Sequence, residues 1–405
     1  MLRKITIDQL RVGMYVEQVD KDWFDIPFFR KHIASEQQIE KLRSYYVHEI
    51  TIDTDRGCDL DGAGPRTALA VAEPPPDRIE RPSRVRSVVS REYREEIGPA
   101  KVAYTQAVAA MHEILEDSRS GRYLQEEPTR EVVSEMVDSC MRNDDAMASL
   151  TKLLRHDEYT FSHCVNVTVF ALTLGKALGL TRDELQIFGE SVLLHDVGKM
   201  LVPPEILNKP GKLSAEEFDV MKLHVQRGVD FLRESFPHRA DLAVVAQEHH
   251  ERLDGSGYPL GTRGDQISRW GQISAIADVY DALTSRRCYK SELTPYKAIS
   301  LIYRLSGGDF NSAYVERFIE CVGIYPIGSL VRTTLQEVGL VVSIRHEDLL
   351  HPDLLLLYRN GHRLKKPKVI DLSECDSLGR HVREVEDILN PEDYGVSPAA
   401  HILEV

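Results

Sequence analysis

Ser191-Val192-Leu193-Leu194-His195-Asp196-Val197-Gly198-Lys199 is the stretch on which the fold turns. An apolar run ends in an adjacent His-Asp pair, and a glycine and a lysine follow at once. Burying an imidazole and a carboxylate side by side costs several kcal/mol unless both find partners. The same theme recurs outward along the chain. His163 opens a helical apolar face continued by Val167, Phe170 and Leu174. His224 sits one turn after Met221, His249 follows Leu242 and Val245, and His250 follows Ala246. Asp278 shares a helix face with Ser274, Asp281 and Ser285. Seven of the 15 histidines fall between residues 156 and 250, about twice an even share, which makes their placement on inner faces hard to ascribe to composition.

One such histidine is ordinarily a satisfied core residue. Five histidines and two aspartates at the inner edges of at least four predicted helices need cations. Imidazole and carboxylate are ligands for borderline first-row ions, and helical bundles build such sites from facing helices. Seven ligands exceed the needs of one ion. Two ions about 3.5–4 Å apart, sharing a carboxylate, suit in-line displacement at phosphorus. The ligands alone leave esterase, amidase and oxygenase chemistry open. The cations Lys199, Arg287 and Lys290, set close to them in an acidic chain, point to an anionic phosphate substrate. In His249-His250-Glu251-Arg252-Leu253-Asp254-Gly255-Ser256-Gly257-Tyr258-Pro259, two glycines and a proline make a sharp loop after two candidate ligands and bring Tyr258 to the rim.

The chain around this region is too long for one ordinary core: 405 residues suit two or three domains. Lys+Arg 50 against Asp+Glu 64 gives a formal net charge of −14, which argues against general nucleic-acid binding but leaves room for a small anionic ligand. No apolar run is long enough for a membrane span, and the opening MLRKITIDQL, with Asp8, lacks the apolar core of a signal peptide. A cytoplasmic protein is expected. The six cysteines include no CxxC pair and are expected as free thiols.

Residues 1–60 read as a small mixed α/β domain, with strands at Leu10–Val16 and Glu49–Asp53 around a short helix at Glu36–Tyr46. Residues 61–88, with three successive prolines at 74–76, read as a linker. Residues 89–129 read as a connecting helical segment and 130–325 as a helical catalytic domain. Ser214-Ala215-Glu216-Glu217 is a capping box ahead of Phe218, Met221 and Val225, and Thr294-Pro295 starts another helix. Residues 326–405 read as a β-rich extension, with strands at 328–333, 339–344 and 354–358. The expected class is therefore mainly α, a helical bundle flanked by a small α/β domain and a β-rich tail, with no internal repeat.

The motif set of residues 130–325 resembles the HD-GYP family, bacterial phosphodiesterases of cyclic di-GMP within the HD metal-phosphohydrolase superfamily. The likeness rests on Asp157 to His163, Glu190 to Lys199, His224, the His249 to Pro259 loop, and Asp278 to Lys290. Residues 1–60 are similar to a domain of unknown function found ahead of such domains, through Leu10 to Val16, Trp23 and Pro27-Phe28. The resemblance implies an HD-type bundle holding two divalent ions, iron or manganese. One would be held by His163, His195, Asp196 and Asp278, the other by Asp196, His224, His249 and His250, with Asp196 bridging. It implies that Asp196 and Lys199 serve catalysis, Lys199 meeting the scissile phosphate. Tyr258, Arg287 and Lys290 would hold the dinucleotide, and Asp157 and Asp281 match supporting positions among the substrate-binding group. Some family members carry a glutamate four residues before the first histidine for a third metal. Here that residue is Tyr159, and Glu158 points about 100° away on a helix, so two metals are expected. Cys288 stands where proline is common. The implied reaction takes cyclic di-GMP to 5′-pGpG, and in part to GMP, lowering a messenger of motility and biofilm formation. The implied partners are a diguanylate cyclase and a second copy of the chain. A docking protein with little turnover, or a hydrolase of another cyclic dinucleotide, is the alternative.

Overall fold

A computed structural model describes residues 2–19, 33, 39, 49–58, 91–154, 159–285 and 293–403. The chain divides into two units, 1–85 and 86–405. In the first, β1 (Leu2–Thr6), β2 (Val16–Val19) and β3 (Glu49–Asp53) form an antiparallel sheet in the order β1-β3-β2. Ile5, Ile7, Leu10, Met14, Val16, Ile33, Ile39, Ile50 and Ile52 make its core. The strand expected from Leu10 begins only at Val16. Gly13 adopts φ +95°, its amide donates to the Ile33 carbonyl at 2.7 Å, and its carbonyl accepts from Cys58 at 2.8 Å. That left-handed residue bends the segment into a turn, so Leu10 and Met14 reach the core without strand geometry. Of the helix expected at 36–46 only Ile39, helical and buried, lies within the described residues; the linker at 61–88 lies wholly outside them.

The second unit begins with helices α1 (Arg91–Arg119), α2 (Glu126–Arg142), α3 (Asp144–Leu153), α4 (Tyr159–Ala177) and α5 (Arg182–Leu193). A 3-10 turn at Val197–Leu201 leads to α6 (Pro204–Leu207), α7 (Ala215–Ser235), α8 (Val244–Glu248), α9 (Arg269–Thr284), α10 (Pro295–Arg304) and α11 (Ser312–Val322). From Ser162 to Leu174, α4 is buried on every side, because α1, α5, α9 and α11 surround it. The Ser214–Glu217 capping box forms, and a second, Thr181–Glu184, starts α5. Pro295 occupies the first turn of α10, but Thr294 makes no side-chain cap. No described helix is long and apolar enough to cross a membrane.

The extension is a five-stranded antiparallel sheet in the order β7-β6-β5-β4-β8. The strands are β4 (Leu330–Thr333), β5 (Glu337–Ser343), β6 (Asp353–Arg359), β7 (His362–Asp371) and β8 (Val385–Leu389), and a short helix α12 (Pro398–Ile402) follows. Val331, Val341, Leu354, Leu356, Ile370 and Leu372 form its core. The first three strands fall where the sequence placed them. The edge strand β7 is not legible in the sequence, because Lys365, Lys366, Pro367 and Lys368 have the composition of a loop; charges and a proline are what an exposed edge carries. Lys152 on α3 donates to Ser329 at 2.8 Å, seating the sheet on the bundle.

Candidate metal centre

The bundle brings seven predicted ligands from five segments to one interior point. His163 comes from α4, His195 and Asp196 from the turn after α5, His224 from α7, His249 and His250 from the end of α8, and Asp278 from α9. Gly198 explains how α7 comes so near. A Cβ there would collide with the His224 carbonyl and lie 2.6 Å from the Gly228 nitrogen. Two glycines therefore face each other where turn and helix cross, and His224 reaches Asp196 as a result.

Asp196 is fully buried and divides the set by its two oxygens. Oδ2 lies 3.2 Å from His195 Nε2 and 3.4 Å from His163 Nε2, which is itself 3.2 Å from Asp278 Oδ1. Oδ1 lies 3.5 Å from His224 Nε2 and 3.7 Å from His249 Nε2. Ligand atoms of His163, His195 and Asp278 lie within 4.8 Å of one another, as do those of His224, His249 and His250.

The far side of four of the five rings is anchored by a hydrogen bond. Nδ1 of His195 donates to the Val192 carbonyl at 2.8 Å, that of His224 to Met221 at 2.8 Å, and that of His249 to Val245 at 3.0 Å. Nδ1 of His163 meets Asp281 Oδ2 at 2.7 Å. A proton held on Nδ1 leaves the Nε2 lone pair facing Asp196, the arrangement metal-ligating histidines show. Nε2 of His195, His224 and His249 and Oδ1 of Asp196 are buried without a hydrogen bond. Four orphaned acceptors converging in a bundle interior fit a divalent cation and little else.

The electrostatics agree. Burial lowers the pKa of His224, burial and the neighbouring His195 lower that of His249 to about 3, and burial and His249 hold that of His250 well down. Burial works against the charge on Asp196 and Asp278, but Lys199 and His195 keep Asp196 ionised and His163 keeps Asp278 so. At neutral pH three imidazoles are thus neutral and two carboxylates charged, the forms that bind metal. Burial also opposes charge on His163, yet its hydrogen bonds with Asp196, Asp278 and Asp281 outweigh it and push its pKa up to about 10. A metal must displace that proton.

At the rim, Lys199 Nζ lies 2.5 Å from Asp196 Oδ2 and is about one-fifth exposed. Tyr258 stacks on His250 with centroids 4.5 Å apart, and Phe218 meets Tyr258 edge-on at 6.2 Å. Burial and then the negative charge of Asp196 raise the Tyr258 phenol, so it keeps its proton. Gly257 lets the loop double back, since a Cβ would lie 2.5 Å from the Arg252 nitrogen and the Glu251 Cα. Asp281, grouped above with the substrate-binding positions, stands behind His163: its oxygens are engaged by His163, by Asn166 at 2.9 Å and by Ser285 at 2.9 Å. Glu190 faces away and pairs with Arg239 at 2.9 Å. Asp157, Arg287 and Lys290 lie outside the described residues, as does the side chain of Tyr159.

Several supporting residues went unread in the sequence. Tyr104 donates to Asn166 at 2.7 Å, which in turn holds Asp281; the spacing of three between His163 and Asn166 was the available signal. Buried Glu251 accepts from the Leu260 and Thr262 amides at 2.8 and 2.9 Å, pinning the loop after His250. Cys164 lies beside His195 and Asp196, where burial holds its thiol far above the usual range. Phe218 lies on the apolar face of α7 by spacing, yet it is 45% exposed beside Tyr258.

Two family models match. The domain of unknown function DUF3391 covers residues 2–129, and the HD domain covers 132–311. A cyclic di-GMP phosphodiesterase of Pseudomonas aeruginosa, PA4108, is 34% identical over 386 residues, 94% of this chain and 92% of its own length. The cyclic di-GMP phosphodiesterase response regulator RpfG of Xanthomonas campestris is 37% identical over 42% of this chain and 47% of its own length. The 3′3′-cGAMP-specific phosphodiesterase 2 of Vibrio cholerae is 39% identical over 40% of this chain and 31% of its own length. With its HD centre, its tyrosine loop and its near full-length match to such an enzyme, the chain belongs to the HD-GYP family of metal-dependent phosphodiesterases.

Proposed function

We propose that the chain hydrolyses a phosphodiester of cyclic di-GMP to 5′-pGpG and thereby lowers the level of that messenger. The observation that carries this reading is the division of seven ligands by the two oxygens of Asp196, with Lys199 alongside. His163, His195, Asp196 and Asp278 would hold one ion, and Asp196, His224, His249 and His250 the other. The family resemblance points to iron or manganese, and a set of five imidazoles and two carboxylates permits either. Two such ions supply Lewis acidity and an activated water for attack at phosphorus.

The chain's own groups do the rest. Lys199, 2.5 Å from Asp196, offers an N–H to a non-bridging phosphate oxygen and to the departing one. Tyr258 remains a phenol, able to donate to the substrate while its ring fixes His250. Tyr258 and Phe218 present two aromatic surfaces to a base. Arg287 and Lys290 take the dinucleotide's phosphates in this reading, and Asp157 supports the rim. Tyr159 in the place of a third acidic ligand favours pGpG as the main product. The reading places the enzyme in the bacterial cytoplasm, opposed to a diguanylate cyclase, with residues 1–60 as the regulatory or docking part and the homodimer as its working form.

The identity shared with a 3′3′-cGAMP-specific enzyme supports a second reading in which that dinucleotide is the substrate. Anaerobically purified protein is assayed for metal and given each dinucleotide. About two metals per chain and pGpG formation favour the first reading. Faster turnover of 3′3′-cGAMP favours the second. Hydrolysis by Asp196→Ala at the wild-type rate would sink both.

A further inference from the structure

A second cluster of ligating groups lies in the C-terminal extension. Asp348 and His351 occupy the turn between β5 and β6, residues 344–352. Cys375 and His381 occupy the long excursion between β7 and β8, residues 372–384, where an isolated antiparallel bridge pairs their backbones. Asp348, His351 and His381 each bring a ligating atom within 4.8 Å of the others. Both Asp348 oxygens lie 2.8 Å from His351 Nδ1. The imidazoles of His351 and His381 stack at 3.6 Å between centroids and 13° between planes. Cys375 Sγ stands 3.7 Å from His381 Nδ1.

We propose that Asp348, His351, His381 and Cys375 form a structural metal site for a zinc-class divalent ion, separate from the HD centre. Two imidazoles, a carboxylate and a thiol make a four-ligand set of mixed nitrogen, oxygen and sulfur donors, which zinc favours and magnesium and calcium do not. Arg345, at the base of the same turn, pairs directly with Asp353 at 2.6 Å and Asp371 at 2.9 Å, while Asp348 turns both oxygens to His351. His351 is nearly buried and held by Asp348, so its ring is already fixed beside the stacked His381. The site explains how the excursion is held. Residues 372–384 contain no regular strand, and an ion joining them to the turn at 344–352 would close a long loop, where a crosslink removes the most chain entropy.

The test uses the full-length chain with cobalt(II) as a spectroscopic stand-in for zinc. The expected result is a tetrahedral cobalt spectrum with a sulfur-to-metal charge-transfer band. Cys375→Ser abolishes that band and weakens zinc binding by at least about tenfold, the scale for disturbing a metal's surroundings. His381→Ala lowers bound zinc by one ion per chain. Circular dichroism confirms the fold of each variant, and Cys375→Ser, an exposed conservative change, reports even where the histidine change disturbs the sheet. The proposal is overturned by a charge-transfer band that survives in Cys375→Ser, which would assign the thiolate to Cys164 in the HD centre. Zinc content and cobalt spectra that are identical in the folded wild type, Cys375→Ser and His381→Ala overturn it equally.

Discussion

Asp281→Asn tests the claim that this residue acts through His163. The carboxylate accepts three hydrogen bonds, from His163 on Oδ2 and from Asn166 and Ser285 on Oδ1. An asparagine of the same shape keeps its oxygen toward Asn166 and Ser285, so its amide nitrogen must face His163 Nδ1. Two donors then oppose each other. Moving the ring proton to Nε2 relieves the clash but blocks the nitrogen that faces Asp196. Binding a metal forces the proton back and leaves a buried donor unmade, at about 1–3 kcal/mol. At 1.36 kcal/mol per decade that is roughly a 5- to 150-fold loss of metal affinity, which brackets the usual 10–100-fold effect of a ligand's hydrogen-bond partner. Manganese competition titration across a pH series measures it, because proton competition at His163 persists in the wild type up to its pKa of about 10. Below that value the wild-type affinity rises with pH as the metal displaces one proton. In the variant, with one raising carboxylate gone, the rise levels off at lower pH. Nitrogen chemical shifts of the His163 ring report the tautomer directly. A folded variant with unchanged affinity and an unchanged pH profile would refute the reasoning.

Three further outcomes are expected. Phe218→Ala removes an exposed ring beside Tyr258; at about 1–3 kcal/mol per stacked base, KM for the dinucleotide rises roughly 5- to 150-fold while kcat holds, and steady-state kinetics with normal metal content would separate this from damage to the centre. Gly198→Ala drives a methyl into α7 where it crosses the turn, so thermal melts show a loss of about 1–3 kcal/mol, and metal retention falls with it because His224 moves off Asp196. His346 Nε2 lies 3.6 Å from Asp145 on α3, and that hydrogen-bonding partner raises its pKa to about 9. The pair's stabilisation is full below the unfolded value of about 6.5 and lost as pH rises through about 9, and His346→Gln flattens that slope by no more than the 0–1 kcal/mol typical of half-exposed pairs.

The sequence made the ligands legible because histidine and aspartate are rare at the inner edges of apolar helical faces, and helical spacing alone assigns them to those edges. It made the strands at 330, 339 and 354 legible because each holds short runs of leucine and valine set off by polar turns. What it hid is local geometry and long-range pairing. Gly13 looked like an interruption within a strand, when its left-handed conformation ends the turn that precedes one. β7 hid behind the lysines of an exposed edge. Asn166, Glu251 and Asp281 are ordinary polar residues in sequence; their roles come from partners brought near only by folding. The cluster of Asp348 and His351 with Cys375 and His381 is unreadable for the same reason, since no spacing links two loops on different parts of a sheet.

The route of the chain through the HD centre also sets an order of events. Ligands are emitted in sequence from His163 to Asp278, and the group that steadies the first of them, Asp281, comes three residues after the last. During synthesis the centre therefore stays open until α9 has left the ribosome, and the first ring made is the last to be locked. A nascent chain stalled before residue 278 would therefore leave that centre without one of its two carboxylates, and without the one that steadies His163.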